Sequence, residues 1–122
     1  MRPRKILLVT DDDFGIDAVT CAAERAGCEI RLCTESYQAL LSLYENPWAF
    51  DIFVFDEDMA DVPGSFLAHR LLLIRENAQI VLLVSGPHLS ADTKDRAAGI
   101  RWIIPKPLAW TRREFASVRP PN

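Results

Sequence analysis

The tightest constraint on this chain is a short run near its middle, Ile52-Phe-Val-Phe55, led in by Asp51 and followed by Asp56-Glu-Asp58-Met59. Four consecutive bulky apolar residues carry no period-two alternation, so a strand built from them is buried on both faces rather than on one. A strand of that kind belongs inside a parallel sheet covered by helices on both sides, where ligands bind at the C-terminal ends of the strands. Asp56 stands at that end. Three further runs repeat the design: Lys5–Val9 stops at Thr10-Asp11-Asp12-Asp13, Ile80–Val84 stops at Ser85-Gly86-Pro87, and Arg101–Ile104 stops at Pro105-Lys106-Pro107.

Helical patterns fill the intervals. Ile16, Val19, Ala22 or Ala23 and Ala26 recur at helical spacing after Phe14, with Asp13 placed to cap the helix and Gly27 to close it. Cys28–Cys33 alternates apolar and polar residues, as an edge strand does. Thr34 or Ser36 then opens a helix over Tyr37–Glu45 with Ala39, Leu40 and Leu43 inside, ended by Asn46-Pro47. Ser65–Glu76 predicts a third helix, with Leu67, Leu71 and Ile74 turned inward and His69, Arg70 and Arg75 available to water. Tyr37, Tyr44 and the run Leu71 to Ile74 are expected in the core. Ser90–Ala98, closed by Gly99, and Leu108–Val118, before Pro120-Pro121, predict two last helices. Strand and helix alternate five times, which predicts a doubly wound α/β domain with a parallel sheet of about five strands. The 122 residues suit one domain, with its core over about 4–118.

Bulk properties remove several classes of function. A net charge of −3 without a basic run gives no electrostatic case for nucleic acid or an anionic membrane, and the Arg2-Pro-Arg4-Lys5 and Arg112-Arg113 clusters read as solvated. No apolar run approaches the roughly 18 residues of a membrane span, and the short basic start is not a signal peptide. Cys21, Cys28 and Cys33 lack CxxC spacing, and His69 and His88 stand far apart, so reduced thiols in the cytoplasm are expected rather than zinc.

The chemistry gathers at the strand ends. Asp11 to Asp13, Asp56, Ser85 and Lys106 share one edge of a parallel sheet, where carboxylates, a hydroxyl and an ammonium suit phosphoryl chemistry on Mg²⁺ with an aspartate nucleophile. Asp11 to Asp13 also read as ordinary negative charge at a helix N-terminus.

In these residues the chain resembles the receiver (CheY-like) domain of two-component response regulators, from about Lys5 to Leu108. Landmarks match in order: Asp11 after Ile-Leu-Leu-Val-Thr, Asp56 at the end of Asp-Ile-Phe-Val-Phe, Gly64, Ser85 before the small Gly86, and Lys106-Pro107. The resemblance implies the flavodoxin-like strand order 2-1-3-4-5. It also implies phosphotransfer to Asp56 from a sensor histidine kinase or a histidine phosphotransfer protein. Mg²⁺ would be held by Asp11, Asp12, Asp56 and the backbone carbonyl of Asp58. Ser85 and Lys106 would respond to the phosphoryl group and alter the 90–118 face, through which a homodimer would form. No turnover beyond self-phosphotransfer and autodephosphorylation is implied. Phe66-Leu-Ala68, Val84-Ser-Gly86 and Lys106-Pro-Leu108 look most like receivers of hybrid sensor kinases. The chain ends within a few residues of the fifth predicted helix, so no output domain is expected, and both a stand-alone regulator and a receiver from a larger kinase stay open.

Departures from the pattern matter as much. Thr10 stands where the first acidic residue is usual, so that Asp12 completes the pair or the strand ends one residue earlier. Ala60 replaces a proline, Pro63 a polar residue, and Pro105 is unusual before Lys106. Ile103 occupies the place of the switch aromatic, with Trp102 beside it. These residues motivate a second reading, a phosphorylation-independent interaction module on the same fold. A third is an aspartate-nucleophile phosphohydrolase of the haloacid dehalogenase type, using Asp56-Glu-Asp58.

Overall fold

The structure, a computed structural model, describes residues 2–85, 99–100 and 102–106. In chain order these form β1 (Lys5–Val9), α1 (Asp13–Arg25), β2 (Glu29–Cys33), α2 (Ser36–Glu45), β3 (Ile52–Asp56), α3 (Gly64–Ile74), β4 (Gln79–Val84) and β5 (Trp102–Pro105). The strands make one parallel sheet in the order β2-β1-β3-β4-β5, so the fold is the doubly wound, flavodoxin-like α/β architecture expected from the sequence. Both predicted C-terminal helices, Gly86, Pro107 and all of the 90–118 face except 99–100 and 102–106 lie outside the described residues.

Three of the four apolar runs take the interior positions, and the fourth, β5, lies at the edge of the sheet and is only partly buried. β1 and β4 are buried after their first residue and β3 is buried throughout. Alternate side chains feed two separate cores. Leu7, Val9, Phe53, Phe55, Ile80, Leu82 and Val84 meet Ala39 and Leu43 of α2 and Leu67, Ala68 and Leu71 of α3 on one face. Ile6, Leu8, Ile52, Val54, Val81 and Leu83 meet Val19, Ala22 and Ala23 of α1 on the other. Burying each such side chain contributes about 1.5–3 kcal/mol, which favours a central position for an unalternating run. β2, whose residues alternate, lies at the edge.

Helix α1 begins at Asp13, the residue predicted to be its cap, so the cap lies one residue earlier. Asp12, not Asp13, is the N-cap, and its Oδ1 accepts from the Phe14 N–H at 3.2 Å. Gly27 closes the helix at φ +74, a conformation that costs a side chain strain and glycine little.

Helix α2 turns Ser36, Ala39 and Leu43 inward, which sends Tyr37, Leu41 and Tyr44 to the opposite side; Tyr37 and Tyr44 are 59% and 55% exposed, against the expectation that they are core. A ten-residue helix has one inward stripe, and the small Ala39 lets this one approach the sheet closely. Among the cysteines only Cys33 is buried, and all three are free thiols.

Helix α3 corrects two further expectations. Gly64, Leu67, Ala68 and Leu71 are buried, but Leu73 and Ile74 are 80% and 46% exposed. Leu72 packs partly buried against the core, and Arg75, assigned to water, is instead half-buried at the end of the helix. Its Nη1 donates to the carbonyls of Phe50 at 2.7 Å and Pro47 at 3.3 Å, while its guanidinium lies over the Trp48 ring at 4.6 Å. A planar five-donor cation can satisfy carbonyls at its edge and stack an aromatic on its face; a lysine cannot do both. Arg75→Ala should therefore lower stability by about 2–3 kcal/mol and Arg75→Lys should recover less than half of it, measured by urea denaturation.

Candidate functional site

The C-terminal ends of β1, β3, β4 and β5 meet at one edge of the sheet, and the parallel register decides what arrives there. β3 pairs with β4 so that Asp56 lies opposite Leu83, and β4 pairs with β5 so that Val84 lies opposite Pro105. Two bonds carry the ladder past the last strand pairs: Glu57 N–H to the Leu83 carbonyl at 2.8 Å and Lys106 N–H to the Val84 carbonyl at 2.6 Å. Asp56 and Lys106 are thereby held by backbone before their side chains interact.

The Asp56 carboxylate is fully buried. Its Oδ1 accepts from the Lys106 ammonium at 2.7 Å and from the Asp58 N–H at 2.9 Å, and its Oδ2 accepts from the Thr10 hydroxyl at 2.7 Å. A buried carboxylate without partners would cost several kcal/mol, and this arrangement supplies a counter-charge and donors on both oxygens. The ammonium also lies 3.2 Å from Asp58 Oδ2, and the Ser85 hydroxyl donates to Asp58 Oδ1 at 3.4 Å. Burial alone would lower the Lys106 pKa, but the hydrogen bonds and charges of Asp56 and Asp58 outweigh it and hold the ammonium above its ordinary value.

Asp56, Asp58, Ser85 and Lys106 are therefore brought together. The acids after β1 are not drawn in to the same degree. Asp11 is exposed, and the Asp12 carboxylate caps α1. Thr10 takes the inward place instead: it is fully buried, donates to Asp56, and accepts from the Asp12 N–H at 3.1 Å. Sequence spacing marked Thr10 only as a missing acid, and its role as a donor to Asp56 went unread.

The segment after Asp56 holds other residues that local patterns did not reveal. Glu57 Oε1 accepts from the N–H and the hydroxyl of Ser65 at 2.9 and 2.8 Å, capping α3. The Asp61 carboxylate accepts from the Ser36 and Tyr37 N–H groups at 3.3 and 3.0 Å, capping α2, while the Ser36 hydroxyl donates to the Val62 carbonyl at 2.7 Å. Desolvation pushes the Asp61 carboxyl upward, but the backbone N–H groups of Tyr37, Val62 and Ser36 hold it below the ordinary carboxylate range. Neither Thr34 nor Ser36 caps α2: its N-cap is Glu35, which makes no side-chain capping bond, and the carboxylate comes from Asp61 instead.

Gly64 is fixed by packing. A Cβ at this position would stand 2.5 Å from the Asp56 carbonyl oxygen and 2.8 Å from its carbon. At β5 the register separates the two residues considered for the switch. Ile103 packs on the core shared with α2 and α3, and Trp102 packs on the α1 side.

The cation implied by the resemblance does not find a gathered donor set. Among the described residues no group of three or more His, Cys, Asp and Glu side chains is placed to hold a metal ion. Thr10 contributes a neutral hydroxyl, donating to Asp56, where the resemblance has an acid.

No protein-family model matches the chain, and neither does any curated protein. Solved structures do. A response regulator receiver domain protein from Clostridium thermocellum superposes with TM-score 0.83 at 19% identity, over 94% of this chain and 90% of that one. A CheY-like response regulator receiver domain protein from Methanospirillum hungatei gives 0.79 at 22%, over 95% and 90%. The receiver domain of NtrX from Brucella abortus gives 0.78 at 18%, over 92% of each. The fold is that of response regulator receiver domains. At these identities the likeness establishes architecture, and the chemistry has to be argued from the residues.

Gly64→Ala should lower stability by about 2 kcal/mol or more in urea denaturation, because backbone rather than a flexible side chain stands in the way. Lys106→Met should cost about 3 kcal/mol near neutral pH, since it leaves a buried carboxylate unpaired. A raised lysine pKa gives stability that is complete below about 10.5, the ordinary value, and fades as pH climbs through the folded value. The stability gap between wild type and Lys106→Met should therefore stay flat from neutral pH to about 10 and narrow above it.

Proposed function

We propose that this chain is a receiver of two-component signalling, one unit over about residues 4–118, which accepts a phosphoryl group on Asp56 from a histidine kinase or phosphotransfer protein in the cytoplasm. The observation that carries the reading is the Asp56–Lys106 pair at 2.7 Å on the tip of the central strand of a receiver-type sheet, with Ser85 one residue beyond β4. In the transfer, an Asp56 carboxylate oxygen forms the bond to phosphorus as the donor's P–N bond breaks, and the donor imidazole leaves with that electron pair. The acyl phosphate brings a nearly dianionic group into a pocket with one ammonium. Lys106 moves from the carboxylate to the phosphoryl oxygens, and the Ser85 hydroxyl exchanges its long contact with Asp58 for a phosphoryl oxygen. The same exchange biases the loops that carry Ser85 and Lys106, which is the switching step. Ile103, which packs on the core shared with α2 and α3, and Trp102 on the α1 side are the two candidates to sense it. The reading assigns no step to a cation.

A second reading is favoured by a different contact. Thr10 occupies Asp56 Oδ2, so the carboxylate is engaged on both oxygens and shielded from water. A carboxylate so held serves equally as a structural anchor in a phosphorylation-independent interaction module.

Incubation with an acyl phosphate donor, with and without Mg²⁺, followed by intact-mass measurement separates the two. On the first reading wild type gains one phosphoryl mass and Asp56→Asn gains none. Folded wild type that stays unmodified under both conditions, and with a panel of histidine kinases, removes the first reading in favour of the second.

A further inference from the structure

The Thr10 hydroxyl is one of the few fully buried polar groups among the described residues, in company with Ser36 and Asp56. It donates to Asp56 Oδ2 at 2.7 Å and accepts from the Asp12 N–H at 3.1 Å, so its proton and one lone pair are both committed. The acceptor it serves is already charge-compensated, because the Lys106 ammonium lies 2.7 Å from the other oxygen. Asp58, a second carboxylate, is tied to the same ammonium at 3.2 Å. A divalent cation arriving at Asp56 would have to share Oδ2 with the hydroxyl donor or take the place of the ammonium at Oδ1. Sharing Oδ2 would bring the cation against a neutral hydroxyl, already bonded through its proton and one lone pair, where a second carboxylate would attract it. Displacing the ammonium would release the counter-charge of two carboxylates.

We propose that Thr10 is a positioning residue that makes the Asp56 site independent of divalent cations. The hydroxyl does at Oδ2 what a bound cation would do: it fixes the rotamer of a buried carboxylate and offsets part of its charge. Its second bond, from Asp12 N–H, ties the end of β1 to the start of α1, so the carboxylate is aligned by the backbone that a metal-holding loop would otherwise leave free. The inference concerns the resting carboxylate and stands whether or not Asp56 accepts a phosphoryl group.

The test is a Mg²⁺ titration of the full chain at constant ionic strength, followed by ¹⁵N amide shifts of Thr10, Asp12, Asp56, Asp58 and Lys106 and by thermal melts. In wild type the shifts should be small and non-saturating through the millimolar range, and Tm should not move with Mg²⁺. Thr10→Ser, which keeps the donor, should behave as wild type. Thr10→Asp, which exchanges the donor for a third carboxylate, should acquire saturable shifts at these amides and a Tm that rises with Mg²⁺. Thr10→Val, near in volume and without a donor, should lower Tm in the absence of metal. Saturable millimolar binding of Mg²⁺ at Asp56 in wild type overturns the proposal, and this measurement needs no variant to fold. An unchanged Tm in Thr10→Val would overturn it as well, because the hydroxyl would then be positioning nothing.

Discussion

A charge has been placed where water cannot reach it, and most of the described architecture follows from keeping that charge tolerable. Asp56 ends the central strand with its carboxylate fully buried. A lone carboxylate in such a place would take up a proton or force the strand outward. The partners that prevent this arrive from β1, β5 and the turn after β3: the Thr10 hydroxyl, the Lys106 ammonium and the Asp58 N–H. Thr10 and Lys106 reach Asp56 only if the parallel register is correct, since a slip of one residue would turn each side chain to the other face. The buried charge therefore works as a check on the sheet. Apolar residues of the right pattern could form a similar stack of strands in more than one register, whereas the polar contacts are satisfied in one.

How far the sequence disclosed this depends on the range of each interaction. β1, β3 and β4 were legible because a central position in an α/β layer favours an unbroken apolar run, and their ends were legible because the runs stop at Thr10, Asp56 and Ser85. The alternating β2 was legible as an edge for the converse reason. What lay beyond reach is side-chain satisfaction across distance. Asp61 caps a helix that begins twenty-five residues earlier, at Ser36, and Arg75 reaches back the same interval to Phe50. Spacing inside a helix also cannot say which of several apolar residues faces inward. Leu71-Leu-Leu-Ile74 offers four candidates at 100° increments. Leu72 packs partly buried, Arg75 donates to the carbonyls of Pro47 and Phe50, and Leu73 and Ile74 were left outside.

Thr10 shows the same limit at the site itself. Alignment of strands makes it a missing acid, and a missing acid suggests only a weakened site. The coordinates give the residue a positive content, since a hydroxyl can donate where a carboxylate can only accept. Exchanging an acceptor for a donor beside Asp56 alters the sign of the local interaction as well as its strength.

The acids that follow Asp56 give the site its connection to the rest of the molecule. Glu57 caps α3, Asp58 pairs with Lys106 and receives the Ser85 hydroxyl, and Asp61 caps α2. Each carboxylate of this segment is thus committed to a different element. Gly64 closes the segment against the Asp56 carbonyl with no room for a side chain, so the turn cannot relax by bulging outward. Asp58 consequently sits on a length of backbone anchored on both sides. When Lys106 changes partner, the pull on Asp58 has few soft degrees of freedom to dissipate in, and the helix N-termini held by Glu57 and Asp61 are the nearest places for it to go. The coupling of the pocket to α2 and α3 is built from ordinary capping bonds, each worth on the order of 1 kcal/mol. Bonds of that size are strong enough to set the resting geometry and weak enough to be redistributed by a single change of charge.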